Sequence, residues 1–245
     1  MKKLIVAVTN KKYLNHVYSL FGNLQTIGNY KGDLGLVCSE LLTYKDYEFL
    51  GMKNIHILQT CKENINPFYA KLYLFSEFFK KWDRVIYFDA DFIIRKDVNP
   101  LFDQTDDLLM DQEEFYLWQY LSDKDLNCLN RLKNRINLDV LGWNSSCISY
   151  NTNIIEKDTL TRLFECKNDI QPINQHTGLS EGTEQPVLNV FFYDKIKQIN
   201  KICYISRIKD ETVAAHTCRW AAPWSDNRFI DYYNQGFDYF IKDLM

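Results

Sequence analysis

The sequence predicts a single α/β domain with a mostly parallel central sheet and helices on both of its faces. Three observations carry this prediction. Over roughly the first hundred residues, short unbroken apolar runs alternate with helical stripes, the pattern of parallel strands joined by crossover helices. A chain of 245 residues, 46% of them hydrophobic, is long enough to bury one sizeable core. One apolar run, Arg84–Phe88, leads directly into Asp89-Ala90-Asp91. Open α/β sheets bind ligands beyond the carboxyl ends of their strands, and the two acids fall there.

Each element has its own signal. Leu4–Val8 is apolar throughout, as a strand covered on both faces must be. From Tyr13 to Ile27 the apolar residues stand at positions 14, 17, 18, 21, 24 and 27, a helical stripe. Leu34–Cys38 and Ile55–Leu58 read as further buried strands, with a helix near Thr43–Leu50 between them. Asn66-Pro67 reads as an N-cap and first-turn proline, opening a helix that runs to Trp82. Residues 103–140 are polar and read as helix or loop covering the site. Cys147–Tyr150 reads as a strand, Ile155–Cys166 and Glu184–Tyr193 as helices, and Val213–His216 as a short strand. No repeat or linker interrupts the pattern. Residues 1–225 therefore form the predicted domain, and 226–245 an aromatic-rich helix or tail packed on it.

Composition narrows the function. The net charge is −3 with no run of lysine or arginine, so nucleic acid is excluded as the expected partner. No apolar run approaches the roughly 20 residues of a membrane span. The lysines at positions 2 and 3 precede only Leu4–Val8, too short for the core of a signal peptide. Seven scattered cysteines without a Cys-x-x-Cys spacing suit reduced thiols and a cytoplasmic location. The 16 tyrosines, 16 phenylalanines and five tryptophans mostly fill core, and flat rings also suit sugars and bases. The tail after Asp226 is open to two readings, a homodimer or membrane contact, or part of the core.

Asp89 and Asp91 are the sharpest chemical signal. At i and i+2 past a strand, both carboxylates project the same way. Two carboxylates so close repel unless a cation lies between them or one is protonated. Hard oxygen ligands suit Mg²⁺ or Mn²⁺, either of which can neutralise a diphosphate leaving group.

The run Lys71-Leu72-Tyr73, then Trp82-Asp83-Arg84-Val85-Ile86-Tyr87-Phe88-Asp89-Ala90-Asp91-Phe92-Ile93-Ile94, then Asn99-Pro100-Leu101-Phe102, resembles the family 8 glycosyltransferases. That resemblance extends in pieces from residue 4 to about residue 224. It implies a Rossmann-like nucleotide-diphospho-sugar transferase domain of the GT-A type, a UDP-sugar donor, Mn²⁺ (with Mg²⁺ as the alternative) and retention of anomeric configuration. A haloacid-dehalogenase-type phosphatase also begins with an aspartate pair after a strand. There a glycine turn follows, whereas here Phe92-Ile93-Ile94 does.

The resemblance also implies roles. Val8-Thr9-Asn10-Lys11-Lys12-Tyr13 is similar to the family segment that holds uridine, with Thr9 and Asn10 at the base or ribose and Tyr13 stacked on uracil. Lys71 matches a lysine used near the donor, and Ala90 lies between the two metal aspartates. Asn144-Ser145 resembles an Asn-Ser-Gly segment lining the donor sugar, with Ser146 in place of the glycine. Ser180 to Asn189 resembles an Asp-Gly-Gly-Asp-Gln-Gly run. Glu181 and Glu184 stand there for two aspartates, Gln185 is kept, and Glu184 and Gln185 would sit near the anomeric carbon. The same acids equally suit the first turn of a helix. His216, Pro223 and Trp224 fit a closing His-x-x-Gly-x-x-Lys-Pro-Trp, whose histidine is the third metal ligand.

Two positions depart from that closing pattern. Arg219 replaces the glycine and Ala222 the lysine that meets the diphosphate. One missing donor at a leaving group can cost roughly 10²–10³ in rate. Either Arg219 supplies the cation, or the chain is a UDP-sugar-binding scaffold with little turnover. A metal-dependent phosphohydrolase is the remaining reading. The sugar transferred and its glycan, protein or lipid acceptor are not readable from motifs.

Overall fold

A computed structural model describes residues 1–60, 67–121, 131–170, 183–217 and 222–242. Four apolar segments form the parallel half of a seven-stranded sheet: β1 (Lys3–Thr9), β2 (Asp33–Cys38), β3 (His56–Gln59) and β4 (Arg84–Phe88), in the order β3-β2-β1-β4. Register is set by Ile5, opposite Leu34 on one side and Ile86 on the other. The sheet continues through β7 (Leu141–Asn151) and β6 (Leu108–Tyr116) to β8 (Ile196–Gln198). Of these, β7 runs antiparallel to both neighbours and β8 parallel to β6. A smaller sheet orders β5 (Phe92–Ile94), β10 (Ala214–His216) and β9 (Ile202–Tyr204).

The chain winds outward from β1 through β2 to β3, then returns to the other side of β1 as β4. The switch in winding direction falls between β1 and β4, where doubly wound sheets open a crevice for ligands.

Alternation along the strands divides the core. Ile5, Leu36 and Ile86 face α1 (Leu14–Thr26), α2 (Tyr44–Met52) and α5 (Ile230–Ile241), packing with Val17, Phe21, Phe49 and Phe240. Leu4, Val6, Val85 and Tyr87 face the other way, onto Phe75, Leu163 of α3 (Thr159–Ile170) and Val187 of α4 (Glu184–Phe191). Helices thus cover both faces. The start of α2 is fixed by a capping box between Thr43 and Asp46. The C-terminal helix α5 lies along α1 at a glycine crossing. A methyl group on Gly22 would come 1.9 Å from the carbonyl oxygen of Gly236. Among the described residues no helix is long and apolar enough to cross a membrane.

The structure differs from the sequence reading in several places. Instead of one helix to Trp82, residues 67–81 form two 3₁₀ segments, Pro67–Phe75 and Glu77–Lys81, parted at an extended Ser76. The Tyr150 hydroxyl donates to the Leu74 carbonyl, which an α-helix would have used itself. Within the polar stretch 103–140 lies a nine-residue strand, β6. Its charged residues Asp111 and Glu113 are buried, so the polar pattern marks an interior network there rather than a surface. Strand β7 begins at Leu141, so Asn144 and Ser145 lie inside the strand rather than before it. The helix placed from Ile155 starts at Thr159, whose hydroxyl accepts from the Glu156 amide at 2.8 Å. Asn66, read as a cap, lies outside the described residues.

Candidate active site

The end of β4 builds the centre. Asp89, Ala90 and Asp91 turn between β4 and β5, with the Phe92 amide donating to the Asp89 carbonyl at 3.2 Å. The two carboxylates converge through this turn, not through the alternation of a continuing strand. From the other side, β7 slips register by three residues: Ile148 faces Met110 while Asn144 faces Asp111. The resulting bulge brings the Ser146 carbonyl to the Asp89 amide at 2.8 Å. His216 arrives on β10, paired with Phe92 of β5, and its ring stacks on the Phe92 ring at 5.3 Å. Thr217 anchors the strand end by donating its amide and hydroxyl to the Asp91 carbonyl.

Ligand atoms of Asp89, Asp91 and His216 all lie within 4.8 Å of one another. His216 Nε2 is 3.2 Å from Asp91 Oδ1. Burial pushes the Asp89 carboxyl up, and the neighbouring Asp91 adds to this while Lys71 opposes it. Burial pushes Asp91 the same way, but His216, joined by Lys71 and a backbone hydrogen bond, outweighs it and holds Asp91 below the usual range. Two carboxylates and one imidazole, converging and only partly exposed, are a donor set that fits a divalent cation.

A second layer ties this centre to α4. Lys71, on the first 3₁₀ segment, sits 2.8 Å from Glu184 Oε1 and 3.1 Å from Asp89 Oδ1. Burial alone would push the lysine toward neutrality, yet the two carboxylates together raise its pKa above the ordinary value. The Tyr87 hydroxyl also donates to Asp89. Ser145 donates its hydroxyl to Glu184 at 2.6 Å and its amide to Gln185 Oε1 at 3.0 Å. Glu113 then gathers three donors on one oxygen: Asn144 Nδ2 at 2.6 Å, the Tyr204 hydroxyl at 2.9 Å and Gln185 Nε2 at 3.3 Å. Asn144, Ser145, Glu184 and Gln185 are thereby brought together with the acidic pair.

The loop after β1 reaches the same edge. Continuing the β1–β4 register past Val6 and Tyr87 sets Thr9 level with Ala90. The Thr9 hydroxyl donates to the Asn10 carbonyl, and Asn10 Oδ1 accepts from the Tyr13 amide at 3.2 Å. These side-chain contacts of Thr9 and Asn10 are local, within the turn, while the Thr9 carbonyl accepts from the Ser39 amide at 2.9 Å. Tyr13 is 40% exposed and meets the edge of the Trp224 ring at 6.2 Å, so this loop and the closing segment touch. Ala222, at the position of the expected lysine, is buried. Glu181 and Arg219 lie outside the described residues.

Sequence reasoning missed Glu113, Tyr204 and Tyr87. A signal for the first existed. Asp111-Gln112-Glu113 repeats, at the end of an apolar run, the spaced acids seen at Asp89 and Asp91.

Set in this sheet, the centre belongs to the GT-A type of glycosyltransferase fold. A solved galactosyltransferase, LgtC with donor and acceptor sugar analogs, superposes with a TM-score of 0.66 at 15% identity, over 94% of this chain and 95% of that one. GlyE of Streptococcus pneumoniae TIGR4 gives 0.66 at 14% identity, over 99% of this chain and 63% of that one. Mouse xyloside xylosyltransferase 1 gives 0.52 at 10% identity, over 97% and 94%. A sequence comparison with curated proteins gives no match. The model of glycosyl transferase family 8 matches residues 10–203. The chain belongs to that family and is a glycosyltransferase.

Proposed function

We propose that the protein is a metal-dependent, retaining glycosyltransferase that moves a hexose from a UDP-sugar, UDP-glucose or UDP-galactose, to a glycan, protein or lipid acceptor. The observation that carries the reading is the convergence of Asp89, Asp91 and His216 at the switch point between β1 and β4. A divalent cation held there would supply positive charge to a diphosphate leaving group. The chain's own groups do the rest. The loop from Thr9 to Tyr13 takes the nucleoside, and Asn144, Glu181 and Gln185 read the sugar. Lys71 holds Asp89 and Glu184 in one arrangement.

Glu184 and Gln185, the two side chains that could attack the anomeric carbon in a double displacement, each have one oxygen tied to neighbours. Glu184 Oε1 is held by Lys71 and Ser145, and Gln185 Oε1 by Ser145. Double displacement therefore stands as the rival to front-face transfer, in which positioning and electrostatics do the work and the leaving phosphate takes the acceptor proton. The buried Ala222 favours one second reading, a UDP-sugar-binding scaffold with little turnover unless Arg219 supplies the missing cation.

The test is a melting series with UDP, UDP-glucose, UDP-galactose, UDP-N-acetylglucosamine and GDP, each with Mn²⁺ and with EDTA. At 100 times its dissociation constant a ligand stabilises by about 2.7 kcal/mol, a shift of a few degrees at this size. Stabilisation by uridine ligands that requires Mn²⁺ supports the reading, and release of UDP from the stabilising sugar nucleotide then separates enzyme from scaffold. No shift with any uridine ligand overturns it.

A further inference from the structure

His216 sits on the central strand of the small sheet, and each neighbouring strand sets an aromatic ring beside it. Phe92 of β5 and Tyr204 of β9 occupy the positions that pair with His216 in the two registers. The Phe92 ring lies 5.3 Å from the imidazole with planes 16° apart. The Tyr204 ring lies 5.4 Å from it with planes 39° apart. Tyr204 is held in turn by Arg207, whose guanidinium lies 4.8 Å over the phenol ring and pairs with Asp111 of β6 at 3.3 Å.

The hydroxyl end of the same side chain belongs to a different group of residues. It accepts from Asn144 Nδ2 at 2.5 Å and donates to Glu113 Oε1 at 2.9 Å. Asn144 Nδ2 also donates to Glu113 Oε1 at 2.6 Å, so the three side chains close a triangle of hydrogen bonds. Asn144 Oδ1 accepts from the Ser146 amide at 2.8 Å. Both amide protons of Asn144 are thereby used, and Tyr204 and Glu113 together set its orientation. A polar network whose members all have partners specifies one arrangement. Groups that orient a metal ligand without touching the metal likewise change its affinity. Tyr204 does both: its ring lies against a candidate metal ligand, and its hydroxyl joins the network assigned to the sugar.

We infer that Tyr204 is a positioning residue with two separable duties: its ring fixes the His216 imidazole for the metal, and its hydroxyl fixes Asn144 and Glu113 on the sugar side. The inference rests on the proposed metal-dependent UDP-sugar reading and deepens it. Neither the cation nor the sugar has to touch Tyr204. A tyrosine that only held the fold together would change stability without separating metal binding from sugar binding.

The test compares Tyr204→Phe, which removes the oxygen and keeps the ring, with Tyr204→Leu, which removes both. Tyr204→Met takes the place of the leucine variant if that one does not fold. Calorimetry measures the Mn²⁺ concentration that gives half-maximal UDP binding. It then measures, at saturating Mn²⁺, the affinities for UDP and for the UDP-hexose that the wild type holds most tightly. Tyr204→Phe is expected to need the same Mn²⁺ and to bind UDP unchanged. Its affinity for the UDP-hexose should fall about three- to tenfold, the worth of one neutral hydrogen bond. The variant without the ring should show that loss and also need about 10- to 100-fold more Mn²⁺, the range for lost support of a metal ligand. Asn144→Ala should weaken UDP-hexose binding, and adding Tyr204→Phe should weaken it no further, because the hydroxyl acts through Asn144. A raised Mn²⁺ requirement in Tyr204→Phe, an unchanged one without the ring, equal losses for UDP and UDP-hexose, no loss for either, or additive losses with Asn144→Ala overturns the assignment to Tyr204. A wild type that binds no uridine nucleotide at any Mn²⁺ concentration overturns the parent reading together with it.

Discussion

Lys71 Nζ lies 2.8 Å from Glu184 Oε1, at a point where the Glu184 side chain is only 2% exposed. A carboxylate so buried is tolerated because a cation and the Ser145 hydroxyl both face it. The same ammonium reaches Asp89, so a single side chain from the 3₁₀ segment couples the end of β4 to the start of α4. Replacing Lys71 with methionine keeps most of the packing and strands Glu184 as an unpaired buried charge. Urea denaturation is expected to show a loss of about 3–5 kcal/mol, as for other broken buried pairs. Adding Glu184→Gln should recover part of that loss, since the orphaned charge is then gone. A single variant within about 1 kcal/mol of wild type would show that the pair is not a structural tie.

The metal reading makes a separate prediction for Asp91 and His216. Asp91→Asn or His216→Ala removes one ligand of three, and removal of a ligand is expected to abolish the Mn²⁺-dependent rise in melting temperature at concentrations that saturate the wild type. In EDTA Asp91→Asn should melt close to wild type, because Asp91 is partly exposed and its loss also relieves repulsion on Asp89. Variants that retain the full Mn²⁺ response would place the cation elsewhere.

The crossing of α1 and α5 is a further test. A β-carbon on Gly22 would lie 1.9 Å from Gly236 O, and one on Gly236 would lie 2.4 Å from Ser19 O, both backbone atoms that cannot step aside alone. The Ser19 hydroxyl and the Asn23 amide also donate to the Tyr233 and Tyr232 carbonyls across this contact. Gly22→Ala must therefore part the helices. The expected cost is about 2–4 kcal/mol, at the upper end for overpacking, with α5 becoming the first site of proteolytic cleavage. An alanine variant of wild-type stability and protease resistance would mean that α5 does not dock as described.

Much of this was legible in the sequence, and the boundary has a physical cause. The parallel half of the sheet and the acids at the end of β4 could be read because strands buried on both faces leave unbroken apolar runs, and because two nearby carboxylates in such a place are hard to explain as surface. Strand β6 could not be read. Its outer half carries Asp111 and Glu113 inward to a polar network, which inverts the usual binary pattern. The bulge that turns Asn144 and Ser145 toward α4 is a matter of register between β6 and β7, and pairing register has no local signature. The glycines at the α1–α5 crossing were equally silent, since a close helix contact depends on a partner distant in sequence.

The aromatic contact that joins α1 to the closing segment carries a pH dependence. His16 and Trp224 stack with centroids 3.9 Å apart and planes 12° apart, and His16 Nδ1 lies 3.0 Å from the Tyr233 hydroxyl. Burial holds the His16 pKa below the ordinary value, so the folded protein resists protonation there. In the unfolded chain a histidine takes its proton near pH 6.5. Below that pH the unfolded state binds more protons than the folded one, and stability must fall. The contribution is therefore fully present above about pH 6.5 and is lost as the pH drops toward the depressed folded value. Urea denaturation of the wild type from pH 8 to pH 5.5 should show this decline. His16→Phe keeps a ring against Trp224 but has no proton to gain. It is expected to be less stable at pH 8, having lost the Tyr233 bond, and to show a flatter profile below about pH 6.5. Parallel profiles for the two proteins would assign the decline to another group and leave His16 as a packing residue alone.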